Sequence, residues 1–254
     1  MSSIHIRDAS VNFGATTAVS AVSLTVPSGG SLGIVGESGS GKTTLAKAIV
    51  GQQALTSGTI SLDGVELASR RTTEQRRAIQ MVYQDPYSSL NPRMTVRQTL
   101  SELLLAHKIV PRASVAERCA ELLEMVRLDA DAQDAFPHQF SGGQRQRIAI
   151  ARALSVEPLV LVADEPTSAL DVSVQATVIE LLARLKRELG LTLVFISHDL
   201  AVVNAVCDTV AVMNRGELVE VAPTSTFFTS PQDPYSRALL EAVPRLDSGA
   251  QHHD

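Results

Sequence analysis

The chain has 254 residues, of which 44% are hydrophobic and 19% charged, and its formal net charge is −5. That size and composition fit one large or two small packed domains and exclude a disordered chain, and the acidic balance argues against nucleic acid as a non-specific partner. Two cysteines, Cys119 and Cys207, are too few for a disulfide framework or a four-thiolate iron–sulfur site, and both read as buried spectators.

Residues 3–26 read as antiparallel strands, because Ile4 and Ile6, Val11 and Phe13, then Val22, Leu24 and Val26 alternate with polar residues. That alternation is not the apolar block of a signal peptide, and no apolar run approaches membrane-spanning length. The expectation is a cytosolic protein, with room for a membrane partner. Phe13-Gly14 falls at a turn, where the ring suits a core position and a stacking platform for a base equally well.

Leu32-Gly33-Ile34-Val35 is a short apolar strand. It runs into Gly36-Glu37-Ser38-Gly39-Ser40-Gly41-Lys42-Thr43, and Thr44 to Val50 has helical composition. G-x-x-x-x-G-K-T between a strand and a helix is the phosphate-binding P-loop. Its glycines let the backbone curl until several N–H groups face one polyphosphate, and the helix start adds positive potential. The pattern sends Lys42 to the β/γ-phosphates and the Thr43 hydroxyl to Mg²⁺.

Asp63-Gly64 between Thr59–Leu62 and Val65–Leu67 predicts a hairpin. Arg70 to Arg77 is a charge run that reads as a solvated face. Ile79 to Tyr83 is a strand, and Gln84 to Arg93, with two prolines, is a loop. Gln84 at a strand end suits either the positioning of water or metal or the closing of a turn. Residues 95–127 carry two apolar helical stripes, one through Val96, Leu100 and Leu104, the other through Val115, Cys119 and Leu122. Ser114 and Glu117 predict a capping box for the second helix. These helices interrupt a β/α pattern and read as an inserted helical subdomain.

Ser141-Gly142-Gly143-Gln144 opens a further helix, with Ser141 as its cap, making a second anion-binding helix start. Leu159 to Ala163 is an unbroken apolar run expected of a central strand, ending in Asp164-Glu165. This is the Walker B form, in which Asp164 holds Mg²⁺ and Glu165 can polarise a water. The turn Pro166 to Asp171 leads to a long amphipathic helix closed by Gly190. Leu193 to Ile196 is another buried strand, followed by Ser197-His198, where ligands bind in open α/β sheets. Thr209–Met213 and Glu217–Val221 predict a hairpin with a three-residue turn, Asn214 to Gly216. The tail from about Thr224 is proline-rich, with one short helical piece near 237–242 and disorder expected at 247–254.

Taken in order, Gly36–Thr43, Gln84, Ser141–Gln144, Asp164-Glu165, Ser168–Asp171 and His198 resemble the nucleotide-binding domain of ABC ATPases over nearly the whole chain. The resemblance implies an α/β P-loop NTPase core with a mixed sheet, an N-terminal antiparallel β-subdomain and an inserted helical subdomain that carries the Ser141–Gln144 signature. It implies ATP and Mg²⁺ as cofactors, with Phe13 stacking on adenine and Gly36 to Thr44 holding the phosphates. Thr43, Gln84 and Asp164 are implied at the metal, Glu165 as catalytic base and His198 as the γ-phosphate switch. Ser141 to Gln144 are implied to contact ATP held by an opposing domain, and Asp171 to close the loop between the two domains. The implied partners are a second ABC ATPase domain, on the same or a homologous chain, two membrane permease subunits and, indirectly, an extracytoplasmic solute-binding protein. That arrangement places the chain peripherally on the cytoplasmic side of the inner membrane.

Two stretches narrow the resemblance. Tyr83 to Met94 and Ser230 to Leu240 are similar to segments of the oligopeptide/dipeptide/nickel importer ATPases, although Asp233 stands where that group commonly has histidine. The cysteine cluster of some members is absent. The expected division is an ATPase domain at 1–229, with its helical subdomain at about 86–157, and a Pro-Tyr segment with a flexible tail at 230–254. The alternative reading is a soluble non-transport ABC ATPase, such as an accessory subunit of a carbon–phosphorus lyase-like complex.

Overall fold

The computed structural model describes residues 2–242. Pro244 and the tail expected to be disordered at 247–254 lie outside the described residues. The N-terminal alternation folds as a ribbon. β1 (Ile4–Phe13) pairs antiparallel with β2 (Thr16–Val26) across the turn at Gly14. β3 (Ser31–Val35) is buried throughout and leads by the P-loop into α1 (Lys42–Val50). β4 (Ser57–Leu62) and β5 (Val65–Glu66) flank Asp63 and Gly64, both in left-handed backbone, as a two-residue hairpin turn requires.

After α2 (Thr73–Ala78) and β6 (Ile79–Val82), a 3₁₀ turn at Pro86–Ser88 introduces the helical region. It contains α3 (Val96–Ala106), α4 (Val115–Met125) and α5 (Gly142–Leu154). Then come β7 (Val160–Asp164), α6 (Val172–Leu189), β8 (Thr192–Ile196) and α7 (Leu200–Val206). The hairpin β9 (Thr209–Asn214) and β10 (Glu217–Pro223) precedes α8 (Thr224–Thr229) and α9 (Pro234–Glu241).

Two sheets result. One is antiparallel, in the order β2-β1-β4-β5, and the other is mixed, in the order β10-β9-β3-β8-β7-β6. In the mixed sheet β3, β6, β7, β8 and β9 run parallel and only β10 is reversed. Side-chain alternation splits the core by faces. Leu32, Ile34, Val160 and Val162 pack with Leu45 and Ile49 of α1 and with the antiparallel sheet. Val35, Leu161 and Ala163 point the other way, into the helices α3 to α7. Cys119 and Cys207 are both buried in that second core. Burial raises the pKa of each thiol, and for Cys207, beside the Asp208 charge, to about 12.

Several expectations are corrected. Arg71, read as part of a solvated face, is 8% exposed. Its guanidinium donates to the carbonyls of Ala48 and Ile49, so it caps the end of α1 as a cation at the negative helix pole. Ser114 forms no capping box, because a 3₁₀ turn at Arg112–Ser114 runs straight into α4 and leaves Ser114 out of the extended conformation a cap needs. The β9–β10 turn has two residues, since Asn214 pairs with Glu217 and both Arg215 and Gly216 take positive φ. The tail contains α8, which was not foreseen, and α9 starts earlier than expected because Pro234 occupies its first turn.

One polar cluster pins the start of β3. Asp208 accepts from the Ser31 N–H at 2.8 Å and from Lys186 Nζ at 2.7 Å. Partial burial opposes its ionisation, but those bonds outweigh burial and hold the carboxyl below the usual range. A depressed folded pKa contributes stability above the unfolded value, about 3.9, and loses it as pH falls through the folded value. Asp208→Asn is therefore expected to lose up to about 1 kcal/mol at pH 7, limited by solvent screening, with the gap to the parent closing in acid. Denaturant titrations at pH 7 and pH 3.5 check this.

Candidate active site

The carboxyl ends of parallel strands are where open α/β sheets bind ligands. Here that edge gathers the P-loop after β3, Gln84 beyond β6, Asp164-Glu165 at the end of β7 and His198 after β8. β8 lies between β3 and β7, and Asp164 is in register with Ile196. The Glu165 N–H then donates to the Ile196 carbonyl at 2.9 Å, which holds Glu165 close to the Ser197-His198 turn. Glu165 sits at φ 45°, a strained conformation for a residue with a side chain. Its Oε2 lies 3.3 Å from His198 Nδ1.

The P-loop is wedged in place. Gly36 has φ 145°, and a Cβ there would lie 2.1 Å from the Met213 carbonyl oxygen. Gly41 has φ 100°, with the Ala18 carbonyl 2.3 Å from any Cβ. Gly216 of the β9–β10 turn donates to the Ser40 carbonyl and accepts from Ser20 of β2, tying the antiparallel sheet to the loop. Lys42 is 6% exposed, and its ammonium donates to the Gly36 and Glu37 carbonyls at 2.8 and 2.7 Å. Burial pulls its pKa down, while Glu165 and Asp164 oppose that.

Thr43 Oγ1 donates to Asp164 Oδ1 at 3.2 Å. Burial raises the pKa of Asp164 and the Glu165 charge adds to it, against the Thr43 bond and the ammonium groups of Lys47 and Lys42. A buried carboxylate beside a hydroxyl is a donor set for a hard divalent cation. Among the described residues no three His, Cys, Asp or Glu side chains converge to hold a metal by themselves. Asp164 and Thr43 offer a cation two oxygen ligands, and Mg²⁺ commonly takes its others from water and substrate phosphates.

A cleft of about 310 Å³ is lined by Ser38, Gly39, Gly41, Lys42, Thr43, Thr44, Gln84, Glu165 and Ala18. Asp164 joins it through Thr43, and His198 through Glu165. The other expected residues do not line it. Phe13 sits at the β1–β2 turn and is 52% exposed, so it is not a core residue. Ser141 caps α5 by accepting from the Gln144 N–H, and the Gln144 side chain accepts from the Ser141 N–H in return. Gly142 and Gly143 bring this helix start against the chain around Asp171: a Cβ at Gly143 would lie 2.2 Å from Val174 Cγ1, and one at Gly142 would lie 3.4 Å from Leu170. The signature and Asp171 thus form a second cluster.

Three groups near the site make contacts that the sequence did not foretell. Gln146, 1% exposed, donates to the Tyr83 carbonyl at 3.3 Å, and the Arg145 guanidinium lies 4.6 Å over the Tyr87 ring. Together they bind the Gln84 loop to α5. Tyr235 of α9 accepts from the Glu37 N–H at 3.1 Å. Helical periodicity places Gln146 on a buried face, but only tertiary packing reveals what any of the three touches.

A mixed sheet with a P-loop, an Asp-Glu pair and a histidine on one edge defines a P-loop nucleoside triphosphatase. The family model described as "ABC transporter" matches residues 19–168, and that described as "Oligopeptide/dipeptide transporter, C-terminal region" matches residues 219–254. The chain belongs to the ABC transporter family and is an ATPase of its oligopeptide/dipeptide group. It is 48% identical to the "Putative peptide import ATP-binding protein" of Brucella ovis over 91% of this chain and 74% of that one. A second relative, from Brucella abortus, carries the same description at 48% identity over 92% of this chain and 71% of its own length. Among solved structures, CbiO1 from Clostridium perfringens, part of the ABC transporter complex cbiONQ, superposes with a TM-score of 0.81 at 29% identity, covering 89% of this chain and 90% of that one. The ATP-binding cassette MJ0796, solved as a dimer bound to ADP and Pi, superposes at 0.76 with 28% identity, over 87% of this chain and 98% of that one.

Proposed function

We propose that this chain is the ATP-hydrolysing subunit of an importer for peptides or a related solute, the latter including nickel or a metal chelate. The observation that carries the reading is the division of the site. The cleft is lined by P-loop residues, Gln84 and Glu165, with Asp164 and His198 joined to it through Thr43 and Glu165, while Ser141 to Gln144 lie elsewhere, against Leu170 and Val174. Half-sites of this kind are completed by apposing two cassettes, so that each signature faces the other's P-loop. The dimeric cassette among the structural relatives and the peptide-import names of the sequence relatives support this.

In this reading Phe13 stacks on adenine and backbone N–H groups of Gly39 to Thr44 cradle the phosphates. Lys42 leaves the Gly36 and Glu37 carbonyls for the β/γ-phosphates. Thr43, Asp164 and Gln84 hold Mg²⁺, which neutralises phosphate charge when bound. Glu165 takes the proton of the attacking water, and His198 orients it and contacts the γ-phosphate. Ser141 to Gln144 and Asp171 act on the nucleotide of the opposing copy. Closure of the pair drives two permease subunits, which a solute-binding protein outside the membrane supplies. The division into an ATPase domain at 1–229, with a helical subdomain at about 86–157, and a C-terminal segment at 230–254 belongs to the same reading.

Among the described residues no helix is long and apolar enough to cross a membrane. Attachment to the cytoplasmic face of the inner membrane therefore runs through the permease pair. Affinity purification of the tagged chain from detergent-solubilised membranes of its own cells tests this. Two polytopic membrane proteins and a second ATPase chain are expected. Recovery only in the soluble fraction, with soluble enzyme subunits, would overturn transport in favour of a non-transport ABC ATPase such as a carbon–phosphorus lyase-like accessory.

A further inference from the structure

The Pro-Tyr segment, Ser230 to Leu240, has no part in the chemistry above, yet it is built to reach the P-loop. Its construction starts on β10. The Glu220 carboxylate accepts from the N–H of Gln232 at 2.9 Å and of Asp233 at 3.0 Å. Those backbone bonds outweigh the cost of partial burial and keep Glu220 below the usual carboxylate range. Asp233 then caps α9 by accepting from the Tyr235 N–H at 2.7 Å, and Pro234 presets the first turn. The Tyr235 ring, with Leu239 and Leu240, packs on the helical core. Its hydroxyl projects to the Glu37 N–H, 198 residues away in sequence, at 3.1 Å.

Glu37 is the second residue of the P-loop. Its N–H is held by Tyr235, and its carbonyl receives the Lys42 ammonium. Glu37, Ser38 and Gly39 form the exposed arc of the loop, whereas Gly36 and Ser40 on either side are buried. The arc is thus pinned at both ends and, from outside the loop, at Glu37. When Lys42 turns toward a phosphate, the Gly36 carbonyl loses the ammonium, and the Tyr235 bond to the Glu37 N–H, in the same peptide plane, is then what keeps that peptide from rotating.

We infer that Tyr235 is a positioning residue for nucleotide binding: through its hydroxyl the C-terminal segment holds the P-loop in its phosphate-ready shape. This rests on the reading of the cleft as an ATP site. It gives the C-terminal segment a task in cis, apart from any partner subunit. A loop ordered in advance spends less of its binding free energy on ordering, so the bond acts on affinity and leaves the chemical step alone.

Tyr235→Phe removes the hydroxyl and keeps the ring. It is expected to weaken ATP binding and raise the KM for ATP roughly two- to tenfold, the span of one ordinary hydrogen bond. The kcat should stay within about twofold of the parent, since the bond is no part of the transition state. The thermal midpoint should stay put, because the packed ring is intact. Glu220→Ala touches neither the loop nor the nucleotide, yet it loosens the base of the same strap and should give the same rise in KM. In the double variant the two effects should not multiply, because both act through one bond. Titrations with ATP and steady-state hydrolysis on the full chain read all three. Parental affinity in Tyr235→Phe, or effects that multiply in the double variant, would overturn the inference while the parent still binds ATP. A parent that bound no ATP would overturn the reading of the cleft, and this inference with it.

Discussion

Glu165→Gln is expected to bind ATP with parental affinity and to lose steady-state hydrolysis by about 10²- to 10⁴-fold, the usual worth of a positioned general base. The carboxamide has the size of the carboxylate, and the backbone bond from Glu165 to Ile196 is untouched, so the strained strand end keeps its place. What disappears is an acceptor for the proton of the attacking water. A cassette that closes on ATP and cannot hydrolyse it should accumulate in the closed pair. Phosphate release gives the rate, and size-exclusion chromatography with ATP and Mg²⁺ shows the dimer. Hydrolysis within about tenfold of the parent would remove Glu165 from the base position, and His198, 3.3 Å away, would be the group to test next.

Lys42→Ala acts earlier in the cycle. Removing one member of a buried charge pair costs about 2–5 kcal/mol, so ATP affinity should fall by roughly thirtyfold to a few thousandfold. Lys42 is also one of the cations that keep the Asp164 carboxyl from rising further. Its loss also removes a positive charge beside the Asp164 carboxyl, so the Mg²⁺ dependence of binding is measured alongside binding itself. Calorimetric titration with ATP, with and without Mg²⁺, separates the two. An affinity within threefold of the parent would place the Lys42 ammonium away from the phosphates. The thermal midpoint is a useful control, since Lys42 also holds the Gly36 and Glu37 carbonyls and its loss can cost stability apart from binding.

The residues that face the cleft were legible because their constraints are local. Glycines that must admit a neighbouring carbonyl and an acid pair after an apolar strand each leave a mark within a few positions, as does, away from the cleft, the serine that caps α5. The mixed sheet was expected from the family resemblance that these motifs carry, and the strand order agrees with it. What stayed hidden depends on distant partners. Arg71 sits in a charge run that looks solvated, and only the position of the α1 carboxyl end makes it a buried cap. The Ser114 capping pattern is present in sequence, but the chain enters α4 through a 3₁₀ turn and bypasses it. The grip of Tyr235 on Glu37 spans nearly the whole chain, so no window of sequence contains both ends. Gln146 and Arg145 likewise bind the Gln84 loop to α5 across more than fifty positions (a separation no periodicity reports).

The two buried thiols have a practical side. Nucleophilic attack on maleimides or disulfides requires thiolate, and burial withholds it from both Cys119 and Cys207. The native chain is therefore expected to react slowly with thiol reagents while folded. A single cysteine introduced at Val172, which is 83% exposed and follows directly on Asp171, would be the one site to take a label. In the proposed pairing of cassettes, a spin probe or fluorophore there would sit next to the junction, and the distance between probes on paired copies would record opening and closing with little background to subtract.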